Sequence, residues 1–508
     1  MTDSTVPLIL SGERSRTIAE IEDRAARAAA GLRALGVGEG DAIALHLRND
    51  FEFFEASLAA GRLGAYATPV NWHFTADEAG YILRDSRARA LVAHSDLFPA
   101  IEAAVPPDLP VFLVPTPPEI VAAYGLAAAT EPRRGAPSWD ALVADHAPLD
   151  APPRQLRASM IYTSGTTGRP KGVRRDPPTD AQAVSAMARF GVTFGLKPDE
   201  PAIVLMNGPM YHSAPNAYGM NAVRLGKPIV LQARFDPEEM LQLIERHRIT
   251  SMHIVPTMFV RLLRLPDSVR RRYDVSSLRF VVHGAAPCPP EIKRAMIEWW
   301  GPVINEYYGS TETSVPVIAN SADALKKPGS VGRPLPDSRI KILDPNGAEV
   351  PQGEIGEIFI HVAELPEFTY QNQPDKRREV SHGAFVTVGD AGYFDPDGYL
   401  FLADRKRDMV ISGGVNIYPA EIEMVLITMP SVRDCAVFGL PDAEFGESLC
   451  ACIQPDPGRP APTAESVRTF LGHSLAKFKL PKRVEFVDQM PREDSGKIFK
   501  RKLRERYL

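Results

Sequence analysis

The chain has 508 residues, a formal net charge of −5, 44% hydrophobic residues and 24% charged ones. This length calls for more than one folding unit, and the composition is ordinary for a globular protein. The charge balance excludes a global attraction to nucleic acid or to an anionic membrane surface. The four cysteines, Cys288, Cys435, Cys450 and Cys452, lack CxxC spacing. They read as reduced thiols of a cytoplasmic protein, with Cys450 and Cys452 on opposite faces of a strand. The opening MTDSTVPLILSGERS is too poor in apolar residues for a signal peptide. Residues 201–223 lack Asp, Glu, Lys and Arg, yet they contain Asn207, Pro209, His212, Pro215, Asn216 and Asn221. They are therefore no integral membrane segment.

In chain order, residues 17–35 carry Ile and Ala at helical spacing and stop at Gly36 and Gly38. A strand is expected at 41–47, a helix at 51–63, a strand and turn at 65–71, a helix at 75–85 and a buried strand at 88–93. Strands alternating with helices predict a mostly parallel α/β sheet. Residues 106–153 are rich in Pro and Ala and read as a surface excursion with one helix near 138–145. An apolar run at 158–162 then enters a loop, MIYTSGTTGRPKGV, at 160–173. Its glycines permit tight turns and expose backbone N–H groups. With four hydroxyls and Lys171, this composition suits a polyphosphate. It is not the Walker A loop, because Lys171 is followed by Gly172 and by Val173, which starts another strand.

Residues 179–194 read as a helix, and 201–223 as a core strand leading into a pocket wall with the motif GPMYHSAP at 208–215. A buried ammonium group would require a carboxylate there, so the absence of any acid argues for a substrate without an α-amino group. A helix is predicted at 237–247, and strands at 251–255 and 279–283. The segment GAAPCPP at 284–290 is small enough for a flat ring to lie against its backbone, and NEYYGSTE follows at 305–312. Turns and strands of a smaller β unit are expected at 329–334 and 353–361. Then come VTVGDAGYFDPDGYLFL at 386–402, ADRKRDMVISGGVNIYPAEIE at 403–423 and PREDSGKIFKR at 491–501. The cations Lys500, Arg501, Lys502, Arg504 and Arg506 read as a solvated basic helix end.

Together and in this order, these motifs closely resemble those of the adenylate-forming superfamily. That superfamily holds acyl-CoA synthetases, adenylation domains of peptide synthetases and beetle luciferases. The resemblance runs from about residue 17 to residue 497. It implies an α/β fold: a large N-terminal domain of parallel-sheet layers plus a β unit (1–405), a hinge at 406–407 around Arg407, and a small mobile α+β C-terminal domain (408–508). It further implies that ATP is bound by Thr163, Ser164, Gly165, Thr166, Thr167, Gly168 and Lys171 at the phosphates. Gly284, Ala285, Ala286, Glu306, Tyr307, Tyr308 and Gly309 would lie around adenine, with Asp390 and Arg405 at the ribose. Lys497, Thr311, Glu312 and His212 would be catalytic, with Glu312 holding Mg²⁺. The acid would lie among His212, Ser213, Ala217, Gly219, Gly284, Gly309 and Val315, and the CoA arm at Ser412, Gly413 and Gly414. Two departures stand out: Val388 where the family usually has Thr, and Arg407 where it usually has Asp or Lys.

The implied reaction joins a fatty, aromatic or polycyclic carboxylic acid to CoA through an acyl-adenylate. The small-molecule acid, ATP and CoA would be the only partners read from the chain, and homo-oligomerisation is left open. The motifs leave three alternatives: an acyl-AMP ligase loading a carrier protein, a luciferase-like oxygenase, and a ligand-binding protein of the same fold without activity. The intact Lys171, Glu312, Asp390 and Lys497 argue against the last.

Overall fold

The computed structural model describes residues 8–127, 137–150, 157–163, 169–405, 408–412, 415–492, 498 and 500–508, with the backbone alone of Arg405 and Arg501. The first helix, Ile18–Ala34, starts where Thr17 accepts from the Glu20 N–H and the Glu20 carboxylate accepts from the Thr17 N–H. Each side chain thus satisfies a donor that the helix leaves unpaired. Its inner face, with Ile21, Ala28 and Leu32, packs in one cluster with Phe51, Phe53 and Phe54 of helix Phe51–Leu63. These helices cover a parallel sheet of four strands in the order Tyr66–Pro69, Ala42–His46, Ala88–His94 and Val111–Val114. Val111–Val114 corrects the reading of 106–153 as a surface excursion. Pro110 and Pro115 flank this strand and mask it, and an edge position tolerates them.

A second sheet of fourteen strands forms the body of the large domain. Its parallel part comprises Leu8–Ser11, Ile229–Leu231, Val204–Met206, Ser251–Ile254, Phe280–His283 and Ile304–Ser310. It then continues without a break into antiparallel strands Ser314–Ala319, Ser330–Pro334, Leu400–Arg405, Phe385–Phe394, Gly356–Val362 and Ser338–Leu343. The expected β unit is therefore an extension of this sheet. Residues 201–223 also differ from expectation. Only Val204–Met206 is strand, and Ser213–Arg224 is helix. Pro215 sits in its first turn, where no N–H is needed. A third, antiparallel sheet joins Phe368–Tyr370, Lys171–Arg175 and Ile161–Thr163.

The C-terminal domain has its own five-stranded sheet, Val415–Ile417, Val410–Ser412, Gly446–Pro455 and Val432–Asp442, with Arg483–Phe486 beside Gly446–Pro455. Helices Pro419–Leu426 and Ala464–Gly472 close a core of Ile422, Leu426, Val437, Ile453, Val467 and Leu471. Cys450 and Cys452 lie two apart on one strand and so share a face. They pack in the same cluster as Phe438 and Leu440, not on opposite faces. Nor is Lys500 solvated: it is largely enclosed, and its ammonium lies 2.8 Å from the Glu423 carboxylate. No described helix is long and apolar enough to cross a membrane. Among the described residues no group of three or more His, Cys, Asp or Glu could hold a metal ion.

Candidate active site

The phosphate loop springs from a hairpin in which Thr163 stands opposite Lys171 and Tyr162 opposite Gly172. A β-carbon at Gly172 would come within 2.8 Å of the Tyr162 ring, so the strand leaving the loop requires glycine there. Ser164, Gly165, Thr166, Thr167 and Gly168 lie outside the described residues. Glu312 is buried and accepts hydrogen bonds from the Thr163 hydroxyl (3.4 Å) and the Tyr370 phenol (3.1 Å). The Lys171 ammonium sits 5.0 Å from the centre of the Tyr370 ring. Burial pushes its pKa down, and Lys376 adds to that. Burial, then the Glu312 charge, raises the Tyr370 phenol. Arg175 donates to the carbonyls of Thr311 (2.9 Å) and Glu312 (2.5 Å) and so fixes the turn that presents both. Burial lowers its guanidinium to about 10. Thr163, Lys171, Thr311 and Glu312 are thus brought together as expected. Tyr370 and Arg175 were not foreseen; their only signal is strand pairing, Tyr370 with Val173 and Phe368 with Arg175.

Strand Ile304–Ser310 leads into that turn and presents two different faces. The Tyr308 phenol donates to Asp390 at 2.9 Å, and Asp390 stands opposite Arg405 across two paired strands. These two motifs, remote in sequence, therefore meet. The Arg405 side chain lies outside the described residues. The Gly389 N–H donates to the Thr387 hydroxyl at 3.0 Å, and that hydroxyl donates to the Glu357 carboxylate at 2.9 Å. Tyr307 does not join this group, since successive strand residues point to opposite faces. Its buried ring packs near Phe194, and its hydroxyl lies 3.0 Å from His253 Nε2. Glu306 departs from expectation too. Its carboxylate forms a buried ion pair with Lys293 of helix Pro290–Trp300, and His283 is nearby, so it is not presented to an adenine edge. Gly284 lies against Tyr307, and a β-carbon at Gly309 would fall 2.0 Å from the Ser314 carbonyl. Ala285 takes a left-handed φ of 67°.

The residues expected to line the acid pocket split into two groups. Ser213 and Ala217 line a cavity of about 150 Å³ with Asn216, Asn221 and Thr311. Gly219 is turned about 200° around the helix from Ala217. A β-carbon there would touch the methyls of Met206 (3.0 Å) and Met210 (3.1 Å). Val315 belongs to the same buried core as Phe194, Tyr218 and Tyr307. His212 precedes the helix, near enough to His253 to bear on its charge. Burial first, and His212 second, bring His253 down to about 4, so it is neutral at ordinary pH.

This convergence of loop, turn and Asp390 agrees with a family match: the AMP-binding enzyme model covers residues 3–365, and the AMP-binding enzyme C-terminal domain covers 421–497. The chain belongs to the AMP-binding enzyme family. It is 35% identical to a feruloyl-CoA synthase from an Amycolatopsis species, over 98% of this chain and 95% of that one. It is 33% identical to the fatty acid–[acyl-carrier-protein] ligase ScoC of Streptomyces coeruleorubidus, over 99% and 94%. The fold matches the anthranilate CoA ligase AuaEII in complex with anthranoyl-AMP, with a TM-score of 0.85, 26% identity and coverage of 99% and 94%.

In this AMP-binding enzyme the two domains face each other across a cleft of about 1360 Å³, lined among others by Arg261, Ala286, Ala420, Glu423 and Asp434. At its edge Arg264 donates to the carbonyls of Val432 (2.5 Å) and Arg433 (2.6 Å). Ser412 ends its strand beside Val415 and Gly446. Arg407, Gly413, Gly414 and Lys497 lie outside the described residues.

Proposed function

We propose that this chain is an ATP-dependent acyl-CoA ligase for a carboxylic acid without an α-amino group, of the fatty or aromatic kind. The observation that carries this reading is the meeting of Thr163, Lys171 and Glu312 with the Tyr308–Asp390 pair at the end of one strand. Acid carboxylate attacks the α-phosphate of ATP and pyrophosphate leaves. The CoA thiol then attacks the acyl carbonyl and AMP leaves. The first attack needs no general base, because the carboxylate is already ionised near neutral pH. The task of the protein is positioning and charge stabilisation, and it falls to Lys171, Thr163, Thr311 and Lys497. His212 would border the acid. One buried carboxylate flanked by hydroxyls suits Mg²⁺, which binds through one or two carboxylates and substrate phosphates. Glu312 would hold it, and the bound ion would neutralise phosphate charge.

The domain division that supports this reading is 1–405 and 408–508 with a hinge near Arg407. Lys497 and the Ser412–Gly414 segment serve different half-reactions, so the small domain must turn between them. Such turns are absorbed by a few residues at element ends. The Arg264 contacts to Val432 and Arg433 would open in that turn.

The test is ATP–pyrophosphate exchange over an acid panel, followed by thioester detection with CoA. Exchange with simple carboxylic acids and a CoA thioester product are expected. Exchange with free α-amino acids at matching rates would overturn the reading. The likeness to ScoC favours one second reading, loading of a carrier protein; preferential acylation of a holo-carrier over CoA would support it.

A further inference from the structure

We propose that Arg264 and Asp404 are positioning residues of the large domain: together they clamp the two roots of the stretch that carries Lys497, and so select the pose in which the acid is activated. The proposal rests on the acyl-activating reading above, in which Lys497 serves the first half-reaction, and adds the residues that hold it there.

Lys497 lies between Arg492 and Ile498, which pair with each other as an isolated antiparallel bridge. Arg492 grips the Asp434 carboxylate through two bonds of 2.6 and 2.7 Å. Such a forked pair fixes direction as well as distance. Just past Ile498, the Lys500 ammonium holds Glu423 of helix Pro419–Leu426 at 2.8 Å. The places of Asp434 and Glu423 therefore decide where the stretch begins and ends.

Both acids are docked on the large domain. Beside Asp434, strand Val432–Asp442 bulges: Val432 faces Pro455 and Asp434 faces Gln454, so Arg433 is the extra residue. Pro455 has no N–H to give Val432. Two successive carbonyls are thus spared from the ladder. Arg264, which ends helix Pro256–Leu263, donates to both, at 2.5 Å to Val432 and 2.6 Å to Arg433. A guanidinium offers this fork, whereas a lysine ammonium is a single point charge. The helix is a firm base, since its Met258, Phe259 and Leu262 are buried. At the second dock, Asp404 accepts from the Ala420 N–H at 2.8 Å. That donor lies in the first turn of helix Pro419–Leu426, where the helix supplies no partner of its own. Glu423 follows on the same helix.

The pose so clamped is not the one for transfer. Ile411 and Val415, on either side of Gly413 and Gly414, are 50% and 43% exposed. The strands that bear them are therefore not packed on the large domain while both clamps are closed. Transfer to CoA requires the clamps to open.

The experiment has two readouts on Arg264→Ala, Asp404→Ala and Arg264→Lys. The first needs no acid. Pulsed electron paramagnetic resonance measures the distance between spin labels on Arg271→Cys and Glu465→Cys, one exposed position on each domain, the four native cysteines being buried. One dominant distance is expected with the clamps intact, and a second or broader population in each alanine variant. The second readout is single-turnover kinetics. Adenylate formation should fall roughly tenfold in each alanine variant, the scale of a lost hydrogen bond to a charged group, with the half-saturating ATP concentration unchanged. Transfer from a supplied acyl-adenylate to CoA should hold or rise. Arg264→Lys, which keeps the charge and loses the fork, should fall between. Distances unchanged in Arg264→Ala would overturn the proposal. So would unimpaired adenylate formation, or equal losses in the two half-reactions. If no acid supports adenylation, the ligase reading fails and the distances alone decide the clamp.

Discussion

On one side of strand Ile304–Ser310, Tyr308 gives its phenol to Asp390, and the turn beyond presents Glu312 to Thr163 and Tyr370. On the other, Tyr307 bonds His253 in a cluster with Phe194, Met206 and Met210. The first side is made of polar groups paired to one another from distant segments, ready for a ligand rich in charge. The second is apolar, filled and pinned by a few buried hydrogen bonds. On the proposed reading the two sides divide the labour, with activation on the first and contact with the acid on the second. A change on the polar side should slow every acid alike, and a change on the apolar side should reorder the acids.

The largest expected effect that would sharpen this division comes from Lys497. Lys497→Ala should slow adenylate formation by ~10²–10³, the range for losing one preorganised charged donor. Transfer from a supplied acyl-adenylate to CoA should change much less. Single-turnover kinetics of each half-reaction measures both. Equal losses in the two steps would remove Lys497 from the activation side.

A smaller effect is expected at Tyr370. Tyr370→Phe removes its hydrogen bond to Glu312, and losing a hydrogen bond to a charged group should cost roughly tenfold in exchange rate. Because this is a polar-side change, the factor should be the same for benzoate and hexanoate. A factor that differs between them would break the comparison.

A further expected effect is one of stability. His253 on the apolar side and His46 in the strand Ala42–His46 are both brought down to about 4 by burial. Between about pH 6.5 and 4 the unfolded chain therefore binds more protons at these sites than the folded one. Their stabilising neutral state is fully present above about pH 6.5 and is lost as the pH falls toward 4. Each histidine should cost about 1.4 kcal/mol per pH unit in that window. Thermal midpoints measured from pH 7 to pH 4.5 should fall, and His46→Gln should flatten the decline. A midpoint that stays level would contradict it.

The polar side was largely legible in the sequence because its residues sit in contiguous motifs: Thr163 and Lys171 in one loop, Thr311 and Glu312 in one turn, Asp390 beside Gly389. The helices were legible for a local reason as well, since Thr17 with Glu20, Thr75 with Glu78 and Thr179 with Gln182 build their own capping boxes. What escaped depends on tertiary pairing. Glu306 meets Lys293 only because helix Pro290–Trp300 packs under its strand. Tyr370 reaches Glu312 only through the pairing of Phe368–Tyr370 with Lys171–Arg175. Residues 213–224 carry no charge before Arg224 to mark a solvent face, which hid the helical period and with it the separation of Ser213 and Ala217 from Gly219. Tyr307 and Tyr308 are neighbours in the motif, yet strand alternation sends them to different tasks.

The most direct test of separable activation and selection is the ranking of acids by Glu312→Gln. This substitution keeps the shape of the side chain at the polar centre and removes its charge. The measurement is kcat/KM for exchange with hexanoate, benzoate, cinnamate and palmitate, compared with the unsubstituted enzyme. A uniform loss of ~10²–10³ with the order of acids unchanged is predicted. A changed order, or a loss confined to some of the acids, would contradict it.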